Sequence, residues 1–131
     1  MRKNGVLNTE LLAGISGLGH KDCIVIADAG LPVPDGVKLI DLSLDRGTPS
    51  FESVLHAVMS ELAVESFTIA KETLPANPHN FNVIQKEMAG IPSTEVTHDQ
   101  LKEMSKNAKF IVRTGECTPY SNILIVASAG F

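Results

Sequence analysis

Tryptophan is absent from this 131-residue sequence, tyrosine occurs once and cysteine twice. Two cysteines are too few for the disulfide framework of a small secreted scaffold, so two unpaired thiols in a reducing compartment are expected. Long apolar runs are missing as well. The longest, Cys23–Ala27 and Ile123–Ala127, fall far short of the ~18 residues a membrane span needs. No apolar stretch of the ~7–15 residues typical of a secretory signal follows Arg2 and Lys3, so a cytoplasmic location is expected. Positive charge is scarce: 11 Lys and Arg stand against 15 Asp and Glu, a formal charge of −4. That balance argues against a nucleic-acid partner, which calls for clustered cations that displace counterions.

Phosphate-binding and metal signatures are lacking too. Gly14-Ile15-Ser16-Gly17-Leu18-Gly19 is glycine-rich but precedes the first strong strand, whereas a dinucleotide fingerprint lies in a strand-to-helix turn. There is no Walker A motif and no nucleophile elbow. His20, His56, His79 and His98 show none of the short spacings of a zinc site, and paired cysteines are missing. Neither a cofactor nor a metal is expected.

What is present is a well-patterned core. Hydrophobic residues make up 44% and charged residues 20%, which excludes a disordered chain. The length suits one domain, residues 1–131. Residues 9–17 read as a helix capped by Asn8. The β-branched run Cys23–Ala27 predicts a strand covered on both faces, and Val37–Asp41 a second. Thr48-Pro49 is expected to open a helix with Thr48 as cap, its stripe formed by Leu55, Val58, Met59 and Leu62. Val64–Ala70 is a strand. Asn77-Pro78 opens a helix through Met88, and Thr97 with Gln100 forms a capping box for a helix to about Lys106. Lys109–Thr114 and Asn122–Ala127 close the chain as strands. Strands separated by helices predict an α/β fold with a mainly parallel central sheet flanked by helices, Rossmann-like in three layers.

Ligands in such sheets bind beyond the carboxyl ends of the strands. Asp28, Asp41, Lys71 with Glu72, and the loop Arg113–Asn122 fall there. Asp28 can hold a sugar hydroxyl or simply cap the following turn. Tyr120 and Asn122 offer donors and acceptors suited to a polyol. His98 is the first helical residue after its cap, either solvated or a ligand group. His20, in a helix-to-strand turn, is either a cation at a helix C-terminus or a proton-transfer group. His56 and His79 read as surface residues, and Arg113 and Glu116 as scaffold, paired with each other or with backbone.

Across nearly its whole length the chain resembles the ribose-pyranase and fucose-mutarotase family. The matching stretches are Gly5–Asn8, Leu18-Gly19-His20, Ile26–Pro34, Ile40-Asp41, Val64-Glu65, Arg113–Glu116 and Pro119–Asn122. The resemblance implies a cofactor-independent isomerase that interconverts the pyranose and furanose rings of D-ribose ahead of a sugar kinase. It implies His20 as the acid/base catalyst, with Asp28, His98, Tyr120, Ser121 and Asn122 holding the sugar. It also implies two stacked rings of five subunits, a decamer, with each site at a subunit boundary. Fucose mutarotation and sugar binding without turnover are the competing functions.

Overall fold

Alternation of burial along each central strand organises this molecule. In the computed structural model, which describes Met1–Phe131, strand β1 (Cys23–Ala27) sends Ile24 and Ile26 to one face and Val25 and Ala27 to the other. All four are at most 1% exposed. Such double burial is what a continuous β-branched run encodes. Strand β2 is Lys38–Asp41, β3 Val64–Ala70, β4 Ser93–Val96, β5 Phe110–Arg113 and β6 Ile123–Ala127.

They form one six-stranded sheet in the order β2-β5-β1-β6-β3-β4. The pairs β1/β5, β2/β5 and β3/β4 are parallel, while β6 is antiparallel to both β1 and β3. Five strands therefore share a direction and β6 alone opposes them, so the sheet is mainly parallel as expected. The start of β6 consequently lies on the same edge as the carboxyl ends of the others.

One face carries helices α1 (Thr9–Ser16), α2 (Phe51–Met59) and α4 (Pro78–Glu87); their Leu11, Ile15, Phe51, Leu55 and Ile84 join a 19-residue core cluster. Phe51 and Leu55 have no exposure, and burial of such side chains contributes roughly 1.5–3 kcal/mol each. The other face is covered by α5 (His98–Met104), whose fully buried Leu101 packs into an eight-residue cluster with Val25, Ile111 and Leu124. The glycine-rich stretch serves packing: a Cβ on Gly14 would meet the Phe110 ring at 2.9 Å.

Several boundaries differ from expectation. Thr48 is not a helix cap; Thr48-Pro49 is a cis peptide in the preceding loop, and Ser50 caps α2 by accepting from the Ser53 N–H. Strand β4 and the one-turn helix α3 (Thr73–Ala76) are additional elements that the sequence pattern does not announce. Strand β4 lies on the sheet edge with Ser93, Thr94 and Glu95 exposed, so it carries no apolar run to announce it. The caps at Asn8 and Asn77 and the Thr97–Gln100 capping box form as expected.

Candidate active site

The loop from Thr114 to Asn122 leaves β5, crosses the carboxyl end of β1 and enters β6, because β1 lies between those two strands. It is sewn down as it crosses. The Thr114 N–H and hydroxyl both donate to the Ala27 carbonyl at 3.0 and 2.8 Å, and the Ala29 N–H donates to the Glu116 carbonyl at 2.8 Å. Gly115 fits where any Cβ would overlap the Thr48 carbonyl.

This crossing brings Asn122 against Asp28. The Asn122 amide oxygen accepts from the Asp28 N–H at 2.9 Å, and its Nδ2 donates to Asp28 Oδ2 at 3.0 Å. Asp28 Oδ1 accepts from the Gly30 N–H at 3.0 Å. The turn-capping role of Asp28 is thus real and leaves its second oxygen, steadied by a buried amide, at the cavity. Asn122 is fully buried.

Facing them are His98 and Tyr120, edge to face with ring centroids 5.0 Å apart. His98 opens α5, where both Glu72 carboxylate oxygens lie 3.1 Å from its N–H. Its Nδ1 is buried and has no hydrogen-bond partner within the chain, and a buried ring nitrogen left so is a group awaiting a ligand or water. Asp28, Gly30, Leu31, Pro32, His98, Lys102 and Tyr120 line an open cavity of about 280 Å³. That lies just under the ~300 Å³ where ordinary ligand pockets begin, a size for one small polar molecule. A broader cleft of about 660 Å³ adjoins it at Asp28 and Gly30 and runs past Ser43, Asp45 and Arg46. It contains neither His98 nor Tyr120, so only the smaller cavity brings Asp28 together with both rings.

Ser121 lies in the same loop but has no exposure. Its hydroxyl accepts from the Asn77 and Asn80 amides at 3.0 and 2.8 Å. It is turned into the scaffold and does not line the cavity. Arg113 and Glu116 do not pair with each other. Arg113 bonds Asp41 at 3.2 Å, whereas Glu116 accepts from the Phe51 N–H at 2.9 Å and the Thr118 hydroxyl at 2.7 Å. Burial works to raise the Glu116 pKa, but those donors, with Asn80, outweigh it and hold the carboxyl below its ordinary value. His56 and His79 are surface residues, 73% and 80% exposed.

His20 is elsewhere. It precedes β1 at the sheet's opposite edge, beside the end of β6, where the Lys21 N–H donates to the Ala127 carbonyl at 3.0 Å. Strand β1 alone interposes about 16 Å between it and Asp28. Its Nδ1 accepts from the Ala129 N–H at 3.2 Å, which places the proton of the neutral ring on Nε2, 3.9 Å from a Glu65 carboxylate oxygen. The ring is half exposed.

Sequence pattern does not single out Lys102 as a cavity-lining residue, nor Glu72, which stands outside the lining, as the anchor of His98. Lys102 lies one helical turn after His98, a spacing that puts it on the same face. Glu72 was placed at a strand end, but its grip on His98 depends on the β3/β4 pairing, which no local pattern discloses.

The chain matches the RbsD / FucU transport protein family over residues 1–129. It is 47% identical to the D-ribose pyranase of Geobacillus thermodenitrificans over 131 residues, covering all of this chain and 99% of that protein. A D-ribose pyranase of Bacillus cereus is 46% identical over the full length of both. Among solved structures, Bacillus subtilis RbsD complexed with D-ribose aligns over all of both chains with a TM-score of 0.96 and 42% identity. The fucose mutarotase of Streptococcus pneumoniae in complex with L-fucose shares the fold, with a TM-score of 0.80 and 24% identity over 94% of each chain. The sheet order, the strand-end cavity and these matches together place the chain in the RbsD / FucU family.

Proposed function

We propose that this chain is a D-ribose pyranase, interconverting the pyranose and furanose forms of the sugar through ring opening. The observation that carries it is the strand-end cavity in which Asp28, His98 and Tyr120 face one another, in a chain 47% identical over its whole length to D-ribose pyranases. Ribose is favoured over fucose because the relatives at 46–47% identity bear the ribose name, whereas the fucose-bound structure is 24% identical.

Opening a cyclic hemiacetal removes the proton of the anomeric hydroxyl and adds one to the ring oxygen as the bond between that oxygen and C1 breaks. Reclosure through a different hydroxyl reverses both transfers. The chemistry is proton traffic around an acyclic aldehyde, with no net oxidation. A positioned acid/base group contributes ~10²–10⁴-fold, and imidazole, ordinarily titrating near 6.5, both gives and takes protons near neutrality. Asp28 and Tyr120 hold hydroxyls, the free Nδ1 of His98 accepts or donates to another, and Asn122 fixes the Asp28 carboxylate.

The proton-transfer role in this reading belongs to His20, and its distance from Asp28 supports its supply by the turn of a neighbouring subunit. In this reading each site is completed at a boundary between copies, and the assembly is the decamer of two stacked five-membered rings that the family resemblance implies. The enzyme works in the cytoplasm and delivers furanose to a sugar kinase.

NMR exchange between ribose ring forms tests this with single variants. His20→Ala and Asp28→Asn are expected to abolish acceleration while leaving the fold intact. An undiminished exchange rate in His20→Ala overturns the catalytic assignment.

A further inference from the structure

Tyr120 holds a backbone conformation that its side chain does not favour. Its φ is +55°, in the left-handed region that bulky residues rarely enter. Something outside the loop must keep it there. Two buried side chains from the segment after β3 do so. The Thr73 hydroxyl donates to the Tyr120 carbonyl at 3.1 Å, and the Asn77 amide donates to the Pro119 carbonyl at 2.9 Å. The same amide reaches the Thr118 hydroxyl at 2.9 Å and Ser121 Oγ at 3.0 Å. Thr73 is fully buried and Asn77 is 7% exposed. The residues on both sides of Tyr120, and Tyr120 itself, are therefore gripped from α3 and the start of α4, whereas its ring is left free to lean on His98.

We propose that Thr73 and Asn77 are positioning residues for substrate binding: their hydrogen bonds to the Tyr120 and Pro119 carbonyls fix the left-handed turn that aims the Tyr120 ring into the cavity. This rests on the reading above that Tyr120 touches the sugar. Neither residue lines the cavity, so both act through the turn. The sugar meets a preorganised hydroxyl and does not have to order the loop on binding. The effect falls on affinity, because Tyr120 orients hydroxyls whereas the proton transfer lies with His20.

The composition supplies a direct probe, since Tyr120 is the only tyrosine in a chain without tryptophan. Intrinsic emission thus reports on the residue in question, and D-ribose is the titrant. Thr73→Val keeps the shape and removes the hydroxyl; Thr73→Ser restores it. Asn77→Asp keeps a side-chain oxygen to cap α4, since Asp and Asn cap equally well, but removes the amide donor. Thr73→Val and Asn77→Asp are expected to raise both KM and the ribose concentration at half-maximal emission change about tenfold, with kcat within about threefold. Thr73→Ser is expected to match the wild type. Unchanged KM and half-saturation in folded Thr73→Val overturn the proposal, as does a loss confined to kcat. If Asn77→Asp fails to fold, the two Thr73 variants decide the matter alone.

A wild-type protein whose emission ignores ribose would remove the sugar reading of Tyr120 instead. Ring-proton NOEs between Tyr120 and His98, recorded without sugar, then judge the anchoring separately. They are expected in wild type and Thr73→Ser and lost in Thr73→Val; their persistence in Thr73→Val overturns it.

Discussion

His20 and Asp28 stand at opposite ends of one strand, His20 before β1 and Asp28 immediately after it. A side chain cannot close a gap of about 16 Å, so a reaction that uses both needs two copies. Mixing the two inactive variants tests this. Subunits of His20→Ala and Asp28→Asn, co-expressed at equal levels, combine so that about a quarter of the boundaries carry both native residues. Activity near that fraction of wild type is expected, and no recovery in confirmed mixed assemblies contradicts a shared site.

Asn122 holds Asp28 by its backbone and its carboxylate at once. Asn122→Ala leaves the half-buried Asp28 N–H unpaired and empties a fully buried site, and is expected to cost about 1–3 kcal/mol of stability in urea unfolding. Ribose affinity falls with it. Asn122→Asp sets a second carboxylate against Asp28, and two such groups cannot both ionise cheaply. Its stability is expected to rise as the pH is lowered toward 5, where the native protein shows no such gain.

Tyr120→Phe removes the one phenolic hydroxyl and leaves the edge contact with His98. Ribose binding is expected to weaken while the fold persists. Comparison of ribose and fucose exchange in this variant checks whether Tyr120 contributes to sugar choice; an unchanged ratio assigns that choice elsewhere.

Glu116 joins the cavity loop to the start of α2, and its carboxyl is held below the ordinary value despite its burial. A carboxylate depressed in the folded state stabilises above its unfolded pKa, near 4.3, and that contribution disappears as the pH falls through the lower folded value. Thermal unfolding is therefore expected to lose stability below about pH 4.3. Glu116→Gln is expected to flatten that acid limb and to lower stability at neutrality. An acid limb identical to wild type contradicts the assignment.

The two cysteines are unpaired. Burial, with the Asp22 charge, pushes the Cys23 thiol up, and Lys109 offsets only part of this. Cys117 is exposed in the cavity loop. Iodoacetamide followed by mass spectrometry is expected to modify Cys117 well before Cys23, because the thiolate is the reacting species.

Much of this arrangement was legible in the sequence because it is written locally. Alternating burial in Cys23–Ala27, the Asn77 and Thr97 caps, and the polar loop ending at Asn122 all follow from residue type and spacing. The direction of β6 was not local. That single antiparallel strand carries Asn122 to Asp28 on one edge and sets Ala129 beside His20 on the other. Ser121 shows the same limit: its place in the loop was plain, but the turning of its hydroxyl toward Asn77 and Asn80 depends on a helix forty residues earlier in the chain. The Ser50 cap was missed because Thr48-Pro49 imitates a helix start, whereas the chain there is bent against Gly115.

The most direct test of the account measures exchange between pyranose and furanose D-ribose by NMR saturation transfer, with the protein far below the sugar in concentration. Turnover is expected: the exchange rate rises in proportion to protein while the ratio of ring forms stays constant. A rate equal to that in buffer, with any effect limited to a stoichiometric shift among ring forms, would mark a sugar binder and contradict the account.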